Sequence, residues 1–215
     1  KGNVVDPWEA IDSFGVDAIR WYFLTASQPW VPKRFDPDAL SEAAHRVFDT
    51  LGNTYKFFAL YANLENYAHA HVTADANGHL MDRWIRSRLA SLVTEVRAGF
   101  DSYDITRAAR LIGEFIVDDV SNWYVRRSRD RFWGSVGDEA TRSAFDALAE
   151  VLTMLARLLA PVTPFQADWL YRAITGKSVH LARFPEPGVR DEGLEHGMDA
   201  IRVLARLGRA ARERV

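Results

Sequence analysis

The sequence predicts an all-α fold, an antiparallel helical bundle, and three observations carry that reading. Cap-plus-proline signals stand at Asp6-Pro7 and Asp36-Pro37. Apolar residues recur every three to four positions through several long stretches. A single short segment alternates as a strand would, and one strand makes no sheet.

Taken in order, Asp6-Pro7-Trp8-Glu9 places an N-cap, a first-turn proline and an N3 glutamate in register. The helix it opens should stop at Gly15. A second short helix follows, with Asp17 as its expected cap and Ile19 to Leu24 mostly buried. Gln28-Pro29-Trp30-Val31-Pro32 reads as a loop. Asp36-Pro37 opens a long helix to about Tyr67, with Leu40, Ala44, Val47, Leu51, Phe58 and Tyr61 as its apolar stripe. Ala68 to His79 is a polar connection.

Ile85, Leu89, Leu92, Val96 and Phe100 define the next long helix. Asp104 caps another, turning Ile105, Ile112, Ile116 and Val120 inward, and Gly134 and Gly137 break the chain after it. Phe145, Leu148, Leu152, Leu155 and Leu159 mark a further helix, stopped by Pro161. Pro164 restarts a shorter one, which Gly176 ends. Ser178 to Phe184 is the strand-like segment, expected to lie along the bundle. A basic helix should run from about Met198 to the end, its Ile201, Leu204 and Leu207 forming a stripe suited to a further module.

Bulk properties narrow the functional classes. A chain of 215 residues, 48% hydrophobic and 26% charged, has the composition of an ordinary globular protein. No apolar run reaches the length of a membrane span. The absence of cysteine excludes disulfides and fits a reducing cytoplasm. Lys1-Gly2-Asn3-Val4-Val5 has neither an initiator Met nor an apolar signal core and reads as a cut inside a longer protein. The net charge of −2 means that any site for nucleic acid must be a local patch.

That patch is Asn122-Trp123-Tyr124-Val125-Arg126-Arg127-Ser128-Arg129-Asp130-Arg131-Phe132-Trp133, with four arginines against one aspartate. On an α-helix Arg126, Arg129 and Trp133 share a face, and Arg127 and Arg131 form an i,i+4 pair beside it. Guanidinium groups suit phosphates, and an exposed Trp offers a base a stacking surface. A purely structural role for the same residues is the competing reading, since cations favour helix C-termini and Asp130 can pair with Arg126 or Arg127. Trp123 and Tyr124 are assigned to the core.

Other candidates read as structural. His69, His71 and His79 share a polar loop without ligand spacing, so no metal site is assigned. Gly176-Lys177-Ser178 lacks the upstream glycine of a phosphate loop and reads as a helix end. Asp118 and Asp119 read as a solvated or arginine-paired face. No catalytic residue is identified.

Lys1 to Pro7, followed by Phe14-Gly15-Val16-Asp17-Ala18-Ile19-Arg20-Trp21-Tyr22, resembles the segment after the Lys-Met-Ser-Lys-Ser signature of class I aminoacyl-tRNA synthetases. Asn53 to Asn63, Asn122 to Trp133 and Ser178 to Pro185 are similar to the isoleucyl branch, and Pro161-Val162-Thr163-Pro164-Phe165 resembles the family's Pro-x-x-Pro-Phe corner. The resemblance implies a connector after the catalytic domain over residues 1–30, an anticodon-binding helical bundle over 31–187, and a linker with the start of a C-terminal junction helix over 188–215.

It also implies a chain that is catalytically inert alone, inside a monomeric cytoplasmic ligase that charges tRNA(Ile) with isoleucine. That enzyme uses ATP with magnesium and has a zinc-binding tail. The expected RNA contacts are Arg126, Arg127, Arg129, Arg131 and Trp133. The competing readings are the same piece of a valyl or leucyl enzyme, and a helical protein-docking scaffold with no RNA role.

Overall fold

Side-chain caps set most helix starts where the sequence marks them. The computed structural model describes residues 6–32, 34–68, 78–135 and 137–213. Asp6 accepts from Trp8 N at 2.8 Å and opens α1 (Pro7–Phe14). Asp36 accepts from Asp38 N and Ala39 N, both at 3.1 Å, and opens α3 (Pro37–Leu64). Proline follows both caps, at a position where its missing N–H costs nothing. Asp104 caps α5 (Ile105–Glu114) through Arg107 N, and Asp138 caps α7 (Glu139–Leu159) through Thr141 N. His79, expected in a loop, caps α4 (Leu80–Asp101) through Met81 N. His69 and His71 lie outside the described residues, as do Lys1 to Val5.

Asp17 corrects the expectation that it caps the second helix. Gly15 has φ 78°, which lets α2 (Val16–Thr25) begin directly after α1. Asp17 therefore lies inside α2 and serves another helix. Its Oδ2 accepts from Gln166 N at 2.6 Å, in the first turn of α8 (Pro164–Thr175), where the N-cap Thr163 makes no side-chain cap bond. Burial pushes the Asp17 carboxyl above its ordinary range, against the opposing pull of Gln166 N–H and Arg20. Arg20, one turn on, donates to the carbonyls of Val162 and Pro161, both at 2.9 Å. One short helix thus supplies an acid to the N-terminus of α8 and a base to the carbonyl end of α7.

The amphipathic stripes meet in one dominant core. Leu148, Leu152, Leu155 and Leu159 of α7 and Ile85 and Val96 of α4 are fully buried. Trp84, Ile112, Ile116 and Tyr124 join the same cluster, and Ala18, Tyr22, Leu40 and Ala44 form a small second one. α7 packs on both α8 and α4, and α4 also packs on α5. Phe132 meets Phe57 and Phe145 edge-on, at 5.2 and 5.1 Å between ring centroids.

The expected strand is absent. Ser178 to Phe184 contains no strand: Val179–Leu181 is one 3-10 turn. Asp168 explains it, because its Oδ1 accepts from both the Ser178 hydroxyl (2.6 Å) and Val179 N (2.9 Å) and so winds the chain. The segment does lie along the bundle, held by Arg157 on the Arg183 carbonyl and Arg97 on that of Pro185. Gly176 takes the left-handed cap expected of it, φ 72°.

The last helix, α9 (Glu192–Arg212), starts six residues earlier than Met198. Asp191 caps it through Leu194 N, and buried Glu195 in its first turn outweighs the flexibility of Gly193 and Gly197. Ile201, Leu204 and Leu207 of α9 face away from the bundle.

Gly113 of α5 packs directly against Trp21 of α2 and Val47 of α3. A Cβ there would stand 3.0 Å from the Trp21 ring and 3.3 Å from a Val47 methyl. Overpacking costs about 1–3 kcal/mol, against about 1 kcal/mol gained from helix propensity. Gly113→Ala is therefore expected to lower the thermal midpoint, whereas the same change at uncrowded Gly52 should raise it or leave it unchanged.

Candidate nucleic-acid interface

The basic-aromatic run does not continue as an α-helix. Beyond α5 the chain widens into a π-helix, Phe115–Val125, closes to one α turn, α6 (Arg126–Ser128), and tightens into a 3-10 turn, Arg129–Trp133. The helical spacing used to group the arginines therefore fails, because π, α and 3-10 turns advance the side chains by different angles. Instead of two neighbouring stripes, Arg131 turns to Asp82, Arg129 to Phe57, and Arg126 and Arg127 toward α9.

Arg131 turns inward and is not the exposed partner of Arg127 that i,i+4 spacing implied. Its Nη1 and Nη2 donate to Asp82 Oδ1 and Oδ2 at 2.7 and 2.6 Å, and Nη2 also donates to the Ala140 carbonyl at 2.8 Å. Asp82 is fully buried and accepts further from the hydroxyls of Tyr124 (2.7 Å) and Ser143 (2.6 Å). Burial pushes the Asp82 carboxyl up, but Arg131, Ser143 and Tyr124 together outweigh it and hold it below the usual carboxylate range.

His79 Nδ1 sits 3.1 Å from Arg131 Nη1 and 3.2 Å from Met81 N. Both neighbours are donors, so Nδ1 must be the acceptor and the ring neutral. Burial first and Arg131 second depress its pKa accordingly.

The other three arginines reach the surface. Arg129 lies 5.8 Å from the Phe57 ring centroid and Arg127 4.9 Å from that of Trp123. Arg126, Arg127 and Arg129 are exposed and form no ion pair among the described residues. Trp133 is 58% exposed, and its indole N–H donates to Tyr61 Oη at 3.0 Å. Trp123 and Tyr124 are buried, as expected.

A cleft of about 840 Å³ separates this segment from α9. Asn122, Trp123, Arg126 and Arg127 line one wall and Arg202, Arg206 and Arg209 the other, with Asp118 and Asp199 the two carboxylates. Arg202 lies against both Trp123 (5.5 Å) and Trp84 (5.7 Å) and pairs with Asp119. Asp119 also takes Arg88 at 3.2 Å, and Arg88 reaches Glu195 of α9 at 3.4 Å. Ser87 and Ser91 donate to the same Glu195. Asp119 is thus arginine-paired, as its sequence setting implied, while Asp118 lies at the cleft. The α9 arginines were not singled out from sequence, although their i, i+4, i+7 spacing was legible there.

Among the described residues no three His, Cys, Asp or Glu side chains converge as metal ligands. No described helix is long and apolar enough to cross a membrane.

The family model for the anticodon-binding domain of tRNA ligases matches residues 82–215. Isoleucine–tRNA ligase of Porphyromonas gingivalis (strain ATCC BAA-308 / W83) is 44% identical over 219 residues, taking in 100% of this chain and 19% of that protein. The Bacillus thuringiensis (strain Al Hakam) isoleucine–tRNA ligase is 44% identical over 214 residues, 99% of this chain and 20% of its own length. The chain spans about a fifth of the length of these curated relatives. Among solved structures, the Agrobacterium radiobacter K84 LeuRS–tRNA–LeuAMS ternary complex aligns with a TM-score of 0.61 at 22% identity, over 90% of this chain and 22% of that one. At that identity the likeness shows the fold alone.

Removing one partner of a buried ion pair leaves an uncompensated charge, so Arg131→Ala should destabilise the bundle by about 3–5 kcal/mol in urea titrations. The histidine adds a pH dependence. Its folded pKa is depressed, so its contribution is complete above the unfolded value near 6.5 and is lost as pH falls through the folded value. Melting temperature should decline from pH 7 toward 5, and His79→Asn, which keeps an N-cap without titrating, should flatten that decline.

Proposed function

Because this chain belongs to the family of anticodon-binding domains of tRNA ligases, we propose that it holds the anticodon arm of tRNA(Ile) for an isoleucine–tRNA ligase. One observation carries the reading at residue level. Arg126, Arg127 and Arg129 stand exposed and, among the described residues, without ion-pair partners, within a few positions of exposed Trp133, on a chain whose net charge is −2. Unpaired guanidinium groups grouped on a negative protein suit a polyanion: each can take a phosphate with two parallel hydrogen bonds and release a condensed counterion. Trp133 adds an apolar surface on which a base can stack.

Isoleucine as the amino acid rests on relatives 42–44% identical across the chain, all isoleucine–tRNA ligases. Adenylate formation with ATP and magnesium is assigned to the remainder of a longer cytoplasmic protein, and zinc likewise, in keeping with relatives of which this chain spans about a fifth. Arg131 enters as a positioning residue, because its guanidinium is taken up by Asp82 and the Ala140 carbonyl.

Two measurements check this. The chain alone should show no isoleucine-dependent pyrophosphate exchange. Its affinity for tRNA(Ile) should fall steeply with salt, and Arg126→Ala, Arg127→Ala or Arg129→Ala should each reduce the slope of log K against log salt by about 1 while melting normally. Affinity that ignores salt would instead favour an apolar protein-docking surface. Wild-type affinity and slope in all three variants would remove this face from the RNA site.

A further inference from the structure

Arg202, Arg206 and Arg209 fall on one face of α9, and that face looks across the cleft at Arg126 and Arg127. Of these five, Arg202 is pinned by Asp119 and the Asp118 carbonyl. The other four form no ion pair among the described residues. The four unpaired cations outnumber the two carboxylates of the cleft, Asp118 and Asp199, so the walls repel on balance, and they come together only because something stronger holds α9 in place. That something is the buried chain of Asp119, Arg88 and Glu195, with Ser87 and Ser91 closing on the glutamate. Glu195 and Asp119 are 2% and 4% exposed, so the docking of α9 rests on desolvated charges as well as on Leu194 and Met198.

The cleft presents guanidinium donors in excess of its two carboxylates, Asp118 and Asp199, and no open ring. Trp123 is 9% exposed, with Arg127 and Arg202 both lying against its indole. Stacking of a base inside is therefore unfavourable, whereas tetrahedral oxyanions meet donors from both sides. A phosphate contact positions RNA without reading its sequence.

On the RNA-binding reading above, we propose that α9 supplies the second wall of the site, and that the cleft grips the sugar–phosphate backbone of the anticodon arm between Arg126/Arg127 and Arg206/Arg209. Arg202, tied to Asp119, is the positioning residue that sets the width of the cleft.

The test uses the 215-residue chain, a tRNA(Ile) transcript, and the same transcript with its anticodon bases replaced. The double variant Arg206→Ala/Arg209→Ala should lose about tenfold or more in affinity for both RNAs by the same factor, with the salt slope lower by about 2 and the far-UV spectrum unchanged. In parallel, inorganic pyrophosphate should shift the Trp123 indole N–H resonance, assigned as the peak missing in Trp123→Phe, in the wild type and not in the double variant. Should the double variant keep wild-type affinity and slope while Arg126→Ala loses them, RNA binding stands and the α9 wall is overturned. A loss confined to the native anticodon would overturn the backbone assignment in favour of base reading. If pyrophosphate moves the indole but wild type binds no tRNA, the cleft takes small phosphates and both RNA proposals fall together.

Discussion

The carboxylate of Asp82 is the point on which the arrangement of this bundle turns. It sits on the first turn of α4 with no exposed surface, and it receives hydrogen bonds from Arg131, Tyr124 and Ser143. These donors come from the π-helix, the 3-10 turn and α7, so one anion ties three elements to a fourth. A desolvated carboxylate is expensive unless its lone pairs are filled, and four donor atoms fill them. An apolar cluster of the same volume could be as stable, but it would not fix the direction in which Arg129–Trp133 leaves the core. The bidentate geometry does. It places Phe132 between Phe57 and Phe145 and leaves Arg126, Arg127 and Arg129 outside.

Most of the fold could be read from sequence because most of it follows local rules. The aspartate caps at 6, 36 and 104, the proline restarts and the α7 leucine stripe each act over one or two turns. The departures come from contacts remote in sequence. Asp17 looks like a cap for its own helix and instead caps one 149 positions away. The alternation of Ser178–Phe184 looks like a strand until Asp168, ten residues earlier, draws Ser178 and Val179 into a turn. The first turn of α9 looks like a glycine-rich linker until Ser87, Ser91 and Arg88 receive Glu195. No periodicity within a segment encodes such partners.

The site was half legible for a related reason. A run of four arginines within six residues is visible in any reading, but its grouping into faces assumes one helix type. The shift from π to α to 3-10 winding between 115 and 133 rotates successive side chains by unequal steps. Arg131 turns to Asp82, Arg129 to Phe57 and Arg127 to Trp123. Composition gave the number of charges, and backbone winding decided which of them meet solvent.

Arginine serves three different ends in this chain, and they explain how an acidic protein can present a basic cleft. Some guanidinium groups take backbone carbonyls: Arg20 on Pro161 and Val162 and Arg110 on Thr25 and Ala26 at or just beyond helix ends, and Arg157 on Arg183 in the segment that lies along the bundle. Others neutralise buried or half-buried carboxylates, as Arg131, Arg88, Arg86 and Arg202 do. Of the rest, Arg126, Arg127, Arg206 and Arg209 collect where the π-helix faces α9. Net charge is blind to this sorting, because a cation beside its anion contributes little field beyond a Debye length of about 8 Å. The field of the cleft is set instead by its unpaired cations, which outnumber Asp118 and Asp199. Those charges face each other because Arg88 bridges Asp119 to Glu195, so the same class of residue both creates the positive cleft and holds its walls together.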